Sequence, residues 1–258
     1  SPTAGRTDIP QFGDVIGNPN GAKGQEFQSL LRGFNKTWGA TKQPSFMDYG
    51  LSLSFGNQIA RPKVTWGYNA ALTYKNDTEF YQDAQFNLYA KPIDANKNEL
   101  EALQVQTGDY GVNSVLLGGL AGIAMKTKSS KFKLNFIHLQ NGESKAGIFS
   151  FENTNLGANF EATQYNLEYS QRGLSSILLS GSHFIKGGSW EVNWKLAPTR
   201  STIEDPDIRF TRFRLPTNTI SSEVGLPARI WRNLEEYNVA GRIDLTNNLT
   251  AFSREAKI

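Results

Sequence analysis

The chain has 258 residues, enough for one large all-β domain or two small ones, and it carries no cysteine, which excludes disulfides and thiolate metal sites. Its 27 basic and 24 acidic residues leave a net charge of +3, too even for a nucleic-acid binder, and no basic run is interleaved with stacking aromatics. The two histidines, His138 and His183, have no ligand cluster around them, so no metal site and no cofactor are expected.

The first 45 residues stand apart. Ser1 to Gly24 is rich in Gly, Pro, Asn and Asp and reads as loop, without the charged start and apolar stretch of a signal peptide. Glu26 to Trp38 is predicted to form a short helix with Phe27, Leu30, Leu31 and Phe34 on one face. From residue 46 onward the pattern changes to period two. In Tyr49 to Gly56, one face carries Tyr49, Leu51, Leu53 and Phe55, and the other only glycine and serine. From Val64 to Lys75, Val64, Trp66, Tyr68, Ala70, Leu72 and Tyr74 oppose Thr65, Gly67, Asn69, Ala71, Thr73 and Lys75.

Val112 to Lys126 follows as a Gly- and Leu-rich strand with poorer alternation. Its apolar run Val115 to Met125 is too short for a spanning helix of about 20 residues. Clean alternation returns at Phe132 to Gln140, Trp190 to Leu196 and Tyr237 to Leu245, with a blurred strand at Gln164 to Phe184 between them. Gly118-Gly119-Leu120-Ala121-Gly122 reads as close strand packing, because no helix follows to complete a phosphate cradle. Seven strands result, and in the clean ones Lys75, Lys133, Glu191, Lys195, Arg242 and Asp244 all fall on the polar face. A cation facing lipid at the midplane costs about 2–4 kcal/mol, so a transmembrane barrel requires that segregation.

A soluble β-sandwich also alternates, and loop lengths distinguish the two. Short connections at Asn57–Lys63, Thr127–Lys131, Ile185–Ser189 and Thr246–Thr250 carry turn formers such as Lys186-Gly187-Gly188-Ser189. Long ones at Asn76–Tyr110, Asn141–Ala162 and Thr199–Glu236 alternate with them, as short periplasmic turns and long extracellular loops do in outer-membrane barrels. Tyr49, Tyr74, Trp190 and Tyr237 near strand ends fit interfacial aromatic girdles. An odd strand count leaves an edge unpaired, and a further strand begins near Arg254. The expected fold is therefore an all-β, antiparallel transmembrane β-barrel sector with long extracellular loops: residues 1–45 an extracellular loop with a short helix, residues 46–258 a partial barrel.

Several stretches resemble the front of the barrel of TonB-dependent receptors, in the branch with an N-terminal carboxypeptidase-regulatory-like domain. Gly5-Arg6-Thr7-Asp8-Ile9-Pro10 resembles that family's Arg-x-x-Leu-Pro loop, and Phe34-Asn35-Lys36-Thr37-Trp38 its Phe-Asn-x-x-Trp segment. Leu51 to Asn57 and Tyr169-Ser170-Gln171-Arg172-Gly173-Leu174 with Gly181 and His183 resemble two of its strands, Gln171 replacing the usual acid. Asp205-Pro206-Asp207-Ile208-Arg209 and Arg229-Ile230-Trp231-Arg232-Asn233-Leu234-Glu235-Glu236 resemble two of its loop motifs. The resemblance implies a barrel of roughly 22 strands with a plugged lumen. It also implies a Gram-negative outer-membrane location and solute import energised by TonB through a plug region absent from this chain. Lipid is then a partner, and a surface lipoprotein or other outer-membrane subunits are further expected partners.

The candidate ligand residues are Trp38, Arg209 and Trp231, each with a packing or ion-pairing role as its alternative; Lys75, Lys133, Glu191, Lys195, Arg242 and Asp244 are expected to face the lumen. Asp83, Glu99 and Glu101 have no spacing suited to paired acid–base work, and no serine is placed as a nucleophile on a strained turn, so no enzyme activity is expected. Three readings follow: an importer of a bulky or scarce solute, a receptor-like barrel serving as scaffold in a larger outer-membrane complex, and a soluble carbohydrate-binding β-sandwich.

Overall fold

The computed structural model describes residues 6–94, 96–154, 160–185, 187, 189–251 and 254–257. Two helices come first, α1 (Phe12–Ile16) and α2 (Ala22–Gly33). The strands are β1 (Tyr49–Ala60), β2 (Thr65–Gln85), β3 (Leu88–Ala90), β4 (Glu101–Lys126), β5 (Ser130–Asn153), β6 (Phe160–Ile185), β7 (Trp190–Arg214), β8 (Thr219–Ile220), β9 (Ala228–Ala251) and β10 (Arg254–Lys257). They make one antiparallel sheet in the order β1-β2-β4-β5-β6-β7-β9-β10, with β3 on β4 and β8 on β7. The sheet does not close on itself, and among the described residues no second sheet packs against it. Among the described residues no helix is long and apolar enough to cross a membrane, which says nothing about strands.

All seven strands expected from alternation are present, but their lengths differ from expectation. The stretches read as long loops are largely strand: β2 runs on to Gln85, β5 to Asn153 and β7 to Arg214, while β4 starts at Glu101, β6 at Phe160 and β9 at Ala228. The long connections shrink to residues 86–100, 154–159 and 215–227, of which 95 and 155–159 lie outside the described residues. Backbone ladders continue there although side-chain alternation has lapsed; β4 and β5 pair without interruption from Gln104↔Asn153 to Lys126↔Lys131. Strands of 21 to 26 residues reach about 70–85 Å at ~3.3 Å per residue.

Two further expectations are corrected. The helix spans Ala22–Gly33 rather than Glu26–Trp38, because at Phe34 the backbone turns extended (φ −74°, ψ 147°) and leaves the helix to engage the sheet. The turn expected at Thr246–Thr250 is part of β9, held extended by pairing such as Trp190↔Asn247; β9 continues to Ala251, and residues 252–253 lie outside the described residues. The other short turns stand where expected, at 61–64, 127–129 and 186–189, although Lys186 and Gly188 lie outside the described residues.

Register fixes which side chains share a face. One row runs Ile59–Trp66–Met125–Phe132–Gly181–Trp194–Ile243, close to the short turns. Another, further along the strands, runs Leu53–Leu72–Gly119–His138–Ser175–Arg200–Tyr237 on the same face. In β1 and β2 both rows are apolar. By β6 and β7 the second row has become polar, and the apolar stretch sits at Ile177–Ile185 and Trp190–Leu196. The apolar belt thus slides about six residues toward the short turns over five strand-to-strand steps. At ~3.3 Å per residue and ~4.8 Å between strands, that drift corresponds to a strand tilt of about 35–40° if the belt is level. The belt is uncovered: Leu51 is 62%, Phe55 67% and Leu134 41% exposed.

The buried core lies elsewhere, beyond the belt on the reverse face. Phe149, Phe151, Phe160 and Ala162 of β5 and β6 are buried there. Phe86 meets Phe149 edge-on at 5.6 Å, and the Arg212 guanidinium lies 3.5 Å over the Phe151 ring. Burial pushes that guanidinium below its ordinary pKa, and its Nε donates to Gln164 Oε1 at 2.7 Å. The end of the sheet away from the short turns therefore holds a small aromatic core.

Candidate functional site

Trp38, Arg209 and Trp231 are brought together, and they bind the chain to itself. A bulge in β7 between Asp205 and Ile208 places Arg209 opposite Arg229 of β9. Like charges so placed repel, and Asp207 relieves them: Arg229 Nε and Nη2 donate to it at 3.0 and 2.9 Å, and Arg209 Nε lies 3.7 Å away. Phe34, Trp38 and Trp231 enclose Arg229, with ring centroids 5.1, 4.9 and 5.8 Å from its Cζ. Arg229 Nη2 also donates to the Asn35 carbonyl at 2.7 Å, and Arg209 donates to the Thr37 carbonyl.

This latch anchors a strap, residues 34–48, that crosses the belt face beyond the belt. Gly39 lies against the Tyr165 ring of β6, Lys42 pairs with Asp109 of β4, and Asp48 Oδ1 accepts the Thr78 N–H of β2 at 2.7 Å. The strap thus ties β9, β7, β6, β4 and β2 before the chain enters β1. Beneath it is a cavity of about 470 Å³ lined by Lys42, Pro44, Phe80, Asp109, Ala146 and Ile148. The Lys42 ammonium and the Asp83 N–H hold the Asp109 carboxyl below the usual aspartate range.

On the reverse face a mixed ionic group lies beyond the belt. Arg232 Nε donates to Asp205 at 2.6 Å, Lys145 pairs with Glu143 at 2.9 Å, and Glu168 lies opposite Lys145. Burial raises the Glu168 carboxyl, and Lys145 and Arg232 partly offset the rise.

All six charges expected on the polar face are on the reverse face. Lys75 stands apart, paired with Asp77, near the far edge of the belt. The other five gather at the short-turn end. The row there reads Ala124–Lys133–Ser180–Lys195–Arg242, and its neighbour Lys126–Lys131–Ser182–Asn193–Asp244. Arg242 Nε donates to both Asp244 oxygens at 2.9 and 2.8 Å, and Asn193 donates to Glu191 at 2.9 Å. Lys131, Ser180 and Asn193 belong to this group as well. Lys131 closes the turn expected at Thr127–Lys131, whereas in the structure it lies within β5 and its two-residue spacing from Lys133 puts both on one face. The concavity these residues line measures about 450 Å³.

The histidines are satisfied in place. His138 Nδ1 is 2.8 Å from Ser175 Oγ; His183 Nδ1 is 3.0 Å from Ser130 Oγ, and its Nε2 accepts the Trp194 indole N–H at 3.0 Å. Only glycine fits at 181, since a Cβ there would overlap the Trp194 indole. Among the described residues no three His, Cys, Asp or Glu side chains gather as metal ligands. No protein-family model, curated protein or solved structure matches the chain.

Proposed function

We propose that the chain is a sector of an outer-membrane β-barrel of the TonB-dependent receptor type, whose barrel imports a bulky or scarce solute across the outer membrane of a Gram-negative bacterium. One observation carries this reading: an uncovered apolar belt that drifts along tilted strands and carries no charged side chain, while the charges Lys75, Lys133, Glu191, Lys195, Arg242 and Asp244 all lie on the reverse face. Lipid tails cover such a belt, and the strand tilt it requires is that of outer-membrane barrels. Unpaired edges in lipid cost several kcal/mol per exposed backbone group, so the open sheet is read as part of a larger closed wall. The strands span about 10 residues within the belt, and the remainder projects outside, carrying the strap and the aromatic core. The reverse face then lines the lumen, and TonB acts through a plug.

Fractionation of a Gram-negative host expressing the protein tests membrane placement. Recovery in the outer-membrane fraction, resistant to alkaline carbonate and released by detergent, is expected; release by buffer alone overturns the reading. The tall projecting wall favours a second reading, a receptor-like barrel acting as scaffold within a larger outer-membrane complex. Inactivating TonB separates the two, since an importer loses its solute phenotype and a scaffold keeps its assembly.

A further inference from the structure

The charges at the short-turn end of the reverse face are badly matched for a surface that serves only to meet water. Four cations, Lys131, Lys133, Lys195 and Arg242, line one concavity with a single carboxylate, Asp244, which Arg242 already occupies through both oxygens. Lys195 lies directly opposite Arg242, and Lys126 directly opposite Lys131, the arrangement that destabilises an antiparallel pair. Among the described residues the side chains of Lys131, Lys133 and Lys195 make no hydrogen bond or ion pair. The neighbouring acid on β7, Glu191, is engaged by Asn193. Between the lysines stand Ser180 and Ser182, neutral hydrogen-bonding groups at the floor of the concavity.

From this we infer that the short-turn end of the reverse face is an anion site for a small multivalent solute bearing phosphate or carboxylate groups. With strands ~4.8 Å apart, Lys195 and Arg242 stand one strand apart and Lys133 and Lys195 two, so the row matches charges spaced about 5–10 Å. Ammonium and guanidinium groups supply charge-assisted hydrogen bonds to such oxygens, and the serine hydroxyls supply neutral ones. An acidic partner relieves the in-register repulsion, so occupancy also stabilises the sheet. The inference rests on the barrel reading, in which this face is the lumen and the site lies near its periplasmic mouth. There it would receive an anionic solute that had passed the rest of the pore.

The test is calorimetric titration of the full chain in detergent at low salt, with tripolyphosphate and citrate as probes. The two arms separate phosphate from carboxylate recognition. The double variant Lys133→Gln/Lys195→Gln is expected to weaken the preferred probe by about tenfold or more, the loss of roughly one charge-assisted contact. The control Lys91→Gln/Lys97→Gln, at the far end of the sheet, should leave affinity unchanged, and raising the salt should weaken the wild type and this control alike. Absence of binding to both probes, or equal affinity in the double variant, overturns the site. Since the chain has no cysteine, Leu72→Cys and Thr73→Cys in reconstituted vesicles report separately on the faces. A charged maleimide should label Thr73→Cys and spare Leu72→Cys. Equal labelling refutes the barrel reading whatever the binding result, while correct labelling without binding refutes only the anion site.

Discussion

Leu134 and Asn135 are adjacent in β5 and face opposite ways, so arginine at each position measures what each face touches. Leu134 stands between Phe132 and Phe136 on its own strand and opposite Ile123 and Leu179 on the neighbours, so its surroundings are wholly apolar. It lies four residues from the start of β5, about 13 Å along the strand and ~10 Å in height at a tilt near 40°, close to the middle of a ~25 Å belt. At that depth an arginine facing lipid costs about 2–4 kcal/mol, a thirty- to seven-hundred-fold change in the folding equilibrium. Asn135 lies on the reverse side opposite Gly122 and Leu178, beside Asn69 and Lys133 in an open concavity, and arginine there should cost about 1 kcal/mol or less. Urea titration of folding into phosphocholine vesicles, followed by tryptophan fluorescence, gives both values. Equal costs, or a larger cost at Asn135, would refute the assignment of faces and with it the membrane placement.

Other outcomes follow from the projecting half of the sheet. Phe151→Ala empties a fully buried site and removes the ring beneath Arg212, so it should cost about 3–5 kcal/mol in thermal or urea unfolding. Arg229→Leu should free the strap by removing the Asp207 pair and the Asn35 contact, seen as rapid proteolysis within residues 34–48 while the strand ladders stay protected from hydrogen exchange. Asp109 makes the same strap acid-sensitive. Its folded pKa is depressed, so its contribution is complete above the unfolded value of about 3.9 and lost as pH falls through the lower folded value. Hydrogen exchange in residues 40–45 should therefore accelerate below about pH 4, and Asp109→Asn should abolish that step.

Strand number and facing were legible in the sequence because one face of each strand must be apolar within the belt. Strand ends were not. Beyond the belt both faces meet water or protein, and stretches such as Gly142-Glu143-Ser144-Lys145 carry no alternation although the β4–β5 and β5–β6 ladders hold them extended. The six charges were legible as one face but not as two places, because only register separates Lys75 from the Lys133–Lys195 group. Trp38, Arg209 and Trp231 were recognisable as unusual residues, yet their use was hidden: Asn35 and Arg229 meet across 194 positions, a separation at which local pattern carries no information.

The bulge in β7 has a consequence for how the strand can change. In an unbroken strand Asp205 and Arg209, four positions apart, would share a side; here Asp205 turns to Arg232 on one side and Arg209 to the strap on the other. Straightening the bulge with its extra residue still in place would swap the sides of everything after it. Arg212 would then leave Phe151 for the exterior, and Arg209 would desert its carbonyl. The extra residue held in the bulge therefore keeps the short-turn half and the protruding half of β7 in separate phase, and regularising the strand without removing that residue would undo the latch and the aromatic cluster together.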